Sequence, residues 1–181
     1  MSIVESTTQF APPGSWTADP VHSNVSFEVE YAGVSTFRGG FREFTAELAG
    51  STLVGTAKVE SVDVKDDNLN GHLLSPDFFD AQRYPEITFR AEGLERGEDG
   101  TLEGTGEITI KGVTRPIRLA GRIGSPNVDP FGNVKLGLTL EATVDRNEFG
   151  VSWNAPNQGG GNYLGDAVEL VADLILVRQE A

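Results

Sequence analysis

The chain has 181 residues, 38% of them hydrophobic, which is enough for one compact domain with a sizeable core. It has no cysteine, which excludes disulfides and thiolate metal sites. Its formal net charge of −13 disfavours nucleic acid and anionic membrane surfaces as partners.

The first residues, "MSIVESTTQFAPPGSW", contain no basic region followed by a long apolar stretch. That pattern predicts no signal peptide and a cytoplasmic protein. Residues 1–15 read as a flexible N-terminal segment, 16–178 as a single domain and 179–181 as a short tail. Strand signals then follow one another. Val25, Phe27, Val29 and Tyr31 alternate with Ser26, Glu28 and Glu30, the period of a half-buried strand. Phe44, Ala46 and Leu48 repeat the pattern, and a weaker strand runs from about Val54 to Val64.

Residues Asp66–Leu74, "DDNLNGHLL", interrupt the series, with acids first, as suits the positive end of a helix dipole. Leu69 and Leu73 are four apart and share a helical face. Ser75 suits an N-cap and Pro76 the first position of a second short helix, with Leu74 and Phe79 as a hydrophobic staple. Pro85 ends the unit. The leucines and phenylalanines need an apolar surface to cover, and the mouth of a barrel supplies one.

Strands resume over Ile87–Ala91, Ile108–Ile110, Ile117–Ile123, Leu136–Val144 and Val168–Leu176, giving about eight in all. Tight turns are expected at Glu98–Gly100 and Lys111–Thr114, with a longer loop at Ser125–Asn133. Hairpin-joined strands with one apolar face close into a barrel or stack as a sandwich, and eight make a barrel that can hold one small ligand. Small residues at inward parity (Ala46, Ala57, Ser61, Ala91, Gly121, Ala142 and Ala172) leave room inside unless large neighbours fill it; periodicity leaves both outcomes open. "NAPNQGGGNYLG", Asn154–Gly165, reads as a flexible loop. "AVELVADLILV" carries Glu169 and Asp173 and is too short to span a bilayer.

Chemistry-bearing constellations are sparse. His72 and Ser75 are three apart, with Asp77 and Asp80 nearby, but no GxSxG elbow or phosphate loop accompanies them. His22 and His72 are the only histidines, with no HxH or HxxxH pair, so no metal site is expected.

Several segments carry a family resemblance. "WTADPVHSNVSFEVEYAGVSTFRGGF" resembles the opening of the YceI-like, polyisoprenoid-binding family, and "HLLSPDFFDAQRYPEITF" its central signature. "GTGEITIKGVTRPIRLAGRI" and "ATVDRNEFGVSW" are similar to its later motifs, so the likeness runs from Trp16 to about Arg178. There are departures: Leu69 and Asn70 stand where an arginine–aspartate pair is usual, and Val64 where a threonine is common. The resemblance implies an all-β, eight-stranded antiparallel lipocalin-like barrel with short helical segments near its mouth. It also implies non-catalytic binding, transport or sequestration of a long-chain isoprenoid or similar amphiphilic lipid, quinone tails included, without a cofactor. Many relatives are secreted or periplasmic.

Strand parity and signature position together nominate Phe27, Val29, Phe44, Phe89, Leu138, Leu140 and Leu170 as cavity wall. His72, Phe78, Phe79, Tyr84 and Trp153 are nominated as rim. The rivals are a hydrolase or isomerase acting on such a lipid through His72 with Asp77 or Asp80, and an interaction protein whose barrel is filled. No nucleic acid and no stable membrane insertion are expected. Ile175 and Val177 have outward parity on the last strand, which suits a homodimer interface or the cover of a terminus.

Overall fold

A computed structural model describes residues 10–180. Its elements in chain order are β1 (Ser15–Ala18), β2 (Asn24–Tyr31), β3 (Ser35–Phe41), β4 (Phe44–Ala49), β5 (Thr52–Lys58), β6 (Val62–Asp63), α1 (Asp67–Leu74), β7 (Glu86–Glu92), β8 (Glu95–Arg96), β9 (Thr101–Ile110), β10 (Val113–Ile123), β11 (Asn127–Val128), β12 (Val134–Asp145) and β13 (Leu164–Arg178). The strands reduce to eight staves. β1 and β2 lie end to end along β13, which pairs Trp16 with Arg178 and Phe27 with Leu170. β3 and β4 lie end to end beside them, and β5 and β6 beside those. β7, β9, β10, β12 and β13 complete the ring, and β12 pairs with β13 over Lys135–Asp145. Each stave bonds to its chain neighbours and the last bonds to the first, so the protein is a closed, eight-stranded, antiparallel up-and-down barrel. β8 and β11 lie outside the ring.

Local chemistry sets the turns. Lys111 and Gly112 both have left-handed φ, 50° and 76°, as a two-residue I′ hairpin between β9 and β10 requires. Asp129 organises the β11–β12 turn, its carboxylate accepting from the backbone N–H of Phe131 and Asn133 at 2.9 Å each. Those bonds favour the ionised form, the one to Asn133 most, and lower its pKa from 3.8 to about 2. The Gln158–Gly161 tip belongs to a tied hairpin rather than a free loop. Asn154 bonds both ways to the Leu164 backbone, at 2.8 and 2.9 Å, and Pro156 bridges Asn162.

One end of the barrel is packed shut. Trp16, Leu48, Leu53, Ala91, Leu102 and Leu176 are each at most 2% exposed. Phe10 and Ala11, expected within the flexible 1–15 segment, are buried in the same cluster, and Trp16 Nε1 donates to Pro12 O. The ordered domain therefore starts ahead of Trp16. The remainder of the 1–15 expectation, and Ala181 of the expected tail, fall outside the described residues. No described helix is long and apolar enough to cross a membrane.

The helical unit departs from expectation. Asp66, not Ser75, is the N-cap that matters, accepting from Leu69 N–H at 2.8 Å. Ser75 closes the C-terminus of α1, its hydroxyl donating to His72 O at 2.6 Å. No second helix follows; residues 75–83 are a run of turns, with Phe79 N–H on Leu73 O and Ala81 N–H on Leu74 O. Buried Leu73 and half-buried Leu69 face the core together, as their spacing implies.

Candidate functional site

Above the packed end the barrel widens. Its cavity offers about 190 Å³ to the centre of a water-sized sphere, and about 1200 Å³ of empty space when regions open to solvent are included. The enclosed part is the smaller volume. At about 10–15 Å³ per water-sized unit on that measure, it holds roughly a dozen units or more. The room comes from small side chains. Ala46, Ala57, Ala142 and Ala172 all line the cavity, as does Gly55, which sits opposite Phe89 on the next strand. Of the other small residues expected to open it, Ala91 is packed below, and Gly121 is pressed against backbone, where a Cβ would meet Thr139 O at 1.8 Å. Ser61 turns outward in the 3₁₀ segment Val59–Ser61 and donates to Lys58 O.

Ser26, Thr45, Thr56 and Glu141 border the cavity from the outward parity of their strands, and among the inward-facing residues of its wall Arg146 is the charged one. Leu136, Leu138, Leu140, Ala142 and Val144 are inward-facing on β12, and Arg146 extends the same parity by one step. Asp145 then caps a 3₁₀ turn, Arg146–Phe149, which Gly150 ends with a φ of 72°. Arg146 is 5% exposed and lines the cavity with Phe149 and Val151. Nε donates to Gly165 O at 2.8 Å, and Nη1 to Val151 O and Trp153 O at 2.7 and 2.9 Å. Nη2 is buried with no hydrogen-bond partner among the described residues. Burial lowers the guanidinium pKa, opposed by the charges of Asp166 and Asp145, and arginine stays protonated regardless. An unmatched donor on a buried cation is costly, about 1–3 kcal/mol or more, so its retention calls for a reason.

Aromatic side chains collect at the same end. His72 meets Phe78 and Trp153 edge-on at 4.9 Å each, and Trp153 continues to Tyr163 at 6.3 Å. Tyr163 and Tyr31 share a 2.6 Å hydroxyl contact, which raises the Tyr163 pKa. Phe79 packs on Phe41 at 5.9 Å, and both line the cavity. Lys111 clasps the cover, donating from Nζ to Pro76 O at 2.8 Å and Gly150 O at 3.1 Å.

The comparisons with known proteins agree with this geometry. The YceI-like domain pattern matches residues 16–176. The chain belongs to the YceI-like family. A UPF0312 protein of Staphylococcus aureus is 28% identical over 166 residues, covering 87% of this chain and 94% of that protein. Among solved structures, Burkholderia cenocepacia BcnA superposes with a TM-score of 0.75 at 21% identity, covering 87% of this chain and 98% of its own. A polyisoprenoid binding domain from Saccharophagus degradans gives 0.69 at 13% identity, covering 91% and 98%. At those identities the two structures establish the fold alone.

Within this YceI-like barrel, the nominated residues separate into two groups. Phe27, Phe44, Phe89, Leu140 and Leu170 line the cavity, and so does Phe79 from the rim set. Leu138 and Val29 do not: both are inward and buried, but Leu138 sits in the packed end, opposite Ile123 and Leu174, and Val29 packs against Phe37 and Val168. Inward parity could not assign height along the barrel. His72, Phe78 and Trp153 form the aromatic cover without lining the cavity, while Tyr84 lies over the Lys111–Gly112 turn, where a Cβ on Gly112 would meet its ring at 2.6 Å.

His72 Nε2 lies 3.1 Å from Asp77, and Asp80 is 3.8 Å from Arg83, so the two acids are drawn apart. Ser75 is bonded to backbone, and none of these groups lines the cavity. His22 is paired with Asp19 at 2.7 Å, and no metal-capable group of three or more His, Cys, Asp or Glu occurs among the described residues. Arg146, Phe149 and Val151 were not nominated. The signal for Arg146 was present in the sequence: it continues the inward parity of β12 past the last apolar residue.

Proposed function

We propose that the protein binds a long-chain isoprenoid or similar amphiphilic lipid in the barrel and carries or sequesters it without chemical change. The observation that carries this reading is the apolar cavity held open by Ala46, Ala57, Ala142 and Ala172 above a sealed end. Phe27, Phe44, Phe89, Leu140 and Leu170 would contact the chain, with Phe79 at its outer end. A dozen buried methylenes contribute about 10 kcal/mol. Association removes at least about 4 kcal/mol of that. At most about 6 kcal/mol remains, which is a dissociation constant of tens of micromolar for a long chain, and short chains should bind poorly. The Saccharophagus degradans domain, described as polyisoprenoid binding, supports the same ligand class.

The test is direct. The purified protein is extracted with organic solvent and the extract analysed by mass spectrometry, and the stripped protein is titrated with a four-isoprene hydrocarbon. A recovered long-chain lipid or saturable micromolar binding is expected. A protein that yields no lipid and binds no chain has a filled barrel. Turnover of an added lipid, lost in His72→Ala, would make it an enzyme instead.

A further inference from the structure

We infer that the ligand carries a neutral carbonyl oxygen at its head, which accepts a hydrogen bond from Arg146 Nη2; this rests on the lipid-binding reading above. Three observations concern this side chain. Arg146 is 5% exposed and is the charged residue among the inward-facing ones that line the cavity. Nη2 is the one buried side-chain nitrogen or oxygen without a partner among the described residues. The other two nitrogens are fully used, Nε by Gly165 O and Nη1 by Val151 O and Trp153 O.

The pattern of use selects the head group. Arginine grips a carboxylate or phosphate with two nitrogens side by side, as a fork. Here each such fork would require Nε or Nη1 to abandon a backbone carbonyl. One nitrogen remains, and its two N–H groups diverge, as those of Nη1 do towards Val151 O and Trp153 O, too widely for both to meet the two oxygens of a single carboxylate. Asp145 and Asp166 already place negative charge near the guanidinium, which further penalises an anionic head. A carbonyl oxygen gives Nη2 an acceptor without bringing charge into an apolar chamber.

The position also orients the ligand. Arg146 follows β12 at the covered end, and Trp16, Leu48 and Leu102 seal the other. The carbonyl therefore sits under the cover and the chain runs down towards the sealed end.

The test uses the whole stripped protein and four probes sharing one four-isoprene chain: a quinone, a primary amide, the bare hydrocarbon and the diphosphate ester. The quinone and amide should bind about ten-fold or more tighter than the hydrocarbon, the scale of one hydrogen bond to a charged donor. The tighter of the two identifies the carbonyl source. A carbon-13 label on the carbonyl should show an infrared stretch at lower frequency in the wild-type complex than in hydrocarbon solvent. Arg146→Lys should lose the preference for carbonyl probes while still binding the hydrocarbon; if that variant does not fold, the wild-type infrared band decides alone. Equal affinities for carbonyl and hydrocarbon probes, or an unshifted band, overturn the head-group assignment and leave lipid binding intact. Tightest binding by the diphosphate overturns it in favour of an anionic head. Failure of every probe, hydrocarbon included, overturns the lipid-binding reading and this inference with it.

Discussion

Leu138 and Leu140 are neighbours on the inner face of β12, 1% and 4% exposed, yet truncating them should have unequal costs. Each Leu→Ala change removes about three carbon groups, or roughly 2.4 kcal/mol of transfer energy. Around Leu138 the packing is dense, with Ile123 and Leu174 in register, so a new void adds to the loss. Leu138→Ala should cost about 4 kcal/mol, within the range measured for buried leucines. Leu140 borders the 190 Å³ cavity, so part of its surface has no packing partner to lose. Leu140→Ala should cost about 2 kcal/mol or less in the stripped protein. Urea unfolding measures both, with equal slopes confirming that only stability has changed. Saturation with a four-isoprene hydrocarbon then separates them again. At about a hundred times its dissociation constant, the ligand adds about 2.7 kcal/mol. At that same probe concentration Leu138→Ala should gain the full increment, whereas Leu140→Ala, having lost wall contacts, should gain less. Equal costs within about 0.5 kcal/mol in the stripped protein would mean that no open space exists beside Leu140 in solution, and the cavity argument would fail with it.

Other consequences can be checked separately. Phe89→Glu places a carboxylate on the cavity wall and should abolish hydrocarbon binding, read by titration, at a stability cost of several kcal/mol if the charge stays dry. Lys111→Met removes the clasp on Pro76 O and Gly150 O, so residues 75–84 should exchange amide hydrogens about five-fold faster, and a fluorescent isoprenoid should leave sooner in stopped flow. Gly121→Ala should fail to fold or melt far below the wild type in a thermal scan, because its Cβ would meet Thr139 O at 1.8 Å. The Asp129 carboxyl should titrate at about pH 2 by NMR rather than at 3.8. Its depressed value means that its support for the β11–β12 turn is complete above pH 3.8 and is lost as pH falls through about 2.

Most of the barrel was legible because period-two alternation survives on one face of each stave. All eight expected strands correspond to staves of the ring. The missing pieces, β1 and β3, lacked that contrast. In β3 the inward position between Phe37 and Phe41 is Gly39, where a Cβ would strike Phe27 at 2.4 Å, so tight packing erased the apolar mark that reveals a strand. Ser75 misled for a related reason. A serine before a proline signals a helix start, but here its hydroxyl turns back to His72 O and closes the preceding helix instead. The site was half legible. Parity showed which residues face inward, but whether they meet solid packing or open space depends on the residues at the same height on seven other staves. That left Leu138 and Leu140 indistinguishable in the sequence. The restriction to apolar candidates also left Arg146 out, although it obeys the same parity.

The ring closes on its longest strand. β13 runs from Leu164 to Arg178 and bonds on one flank to its chain neighbour β12 and on the other to β1 and β2, with Ser23 and Ile175 joined across 152 positions. Of all the staves it is the last to be synthesised. Without it, the other seven staves would leave two unpaired edges, on β12 and on β1 and β2, and an uncovered apolar floor. Closure is thus a seam rather than a nucleus: the fifteen-residue β13 pairs along both flanks and hides the two long edges that a neighbouring chain could otherwise extend. Weakening that seam should expose the protein to aggregation during synthesis more than after it, since the finished barrel holds the strand along both of its sides.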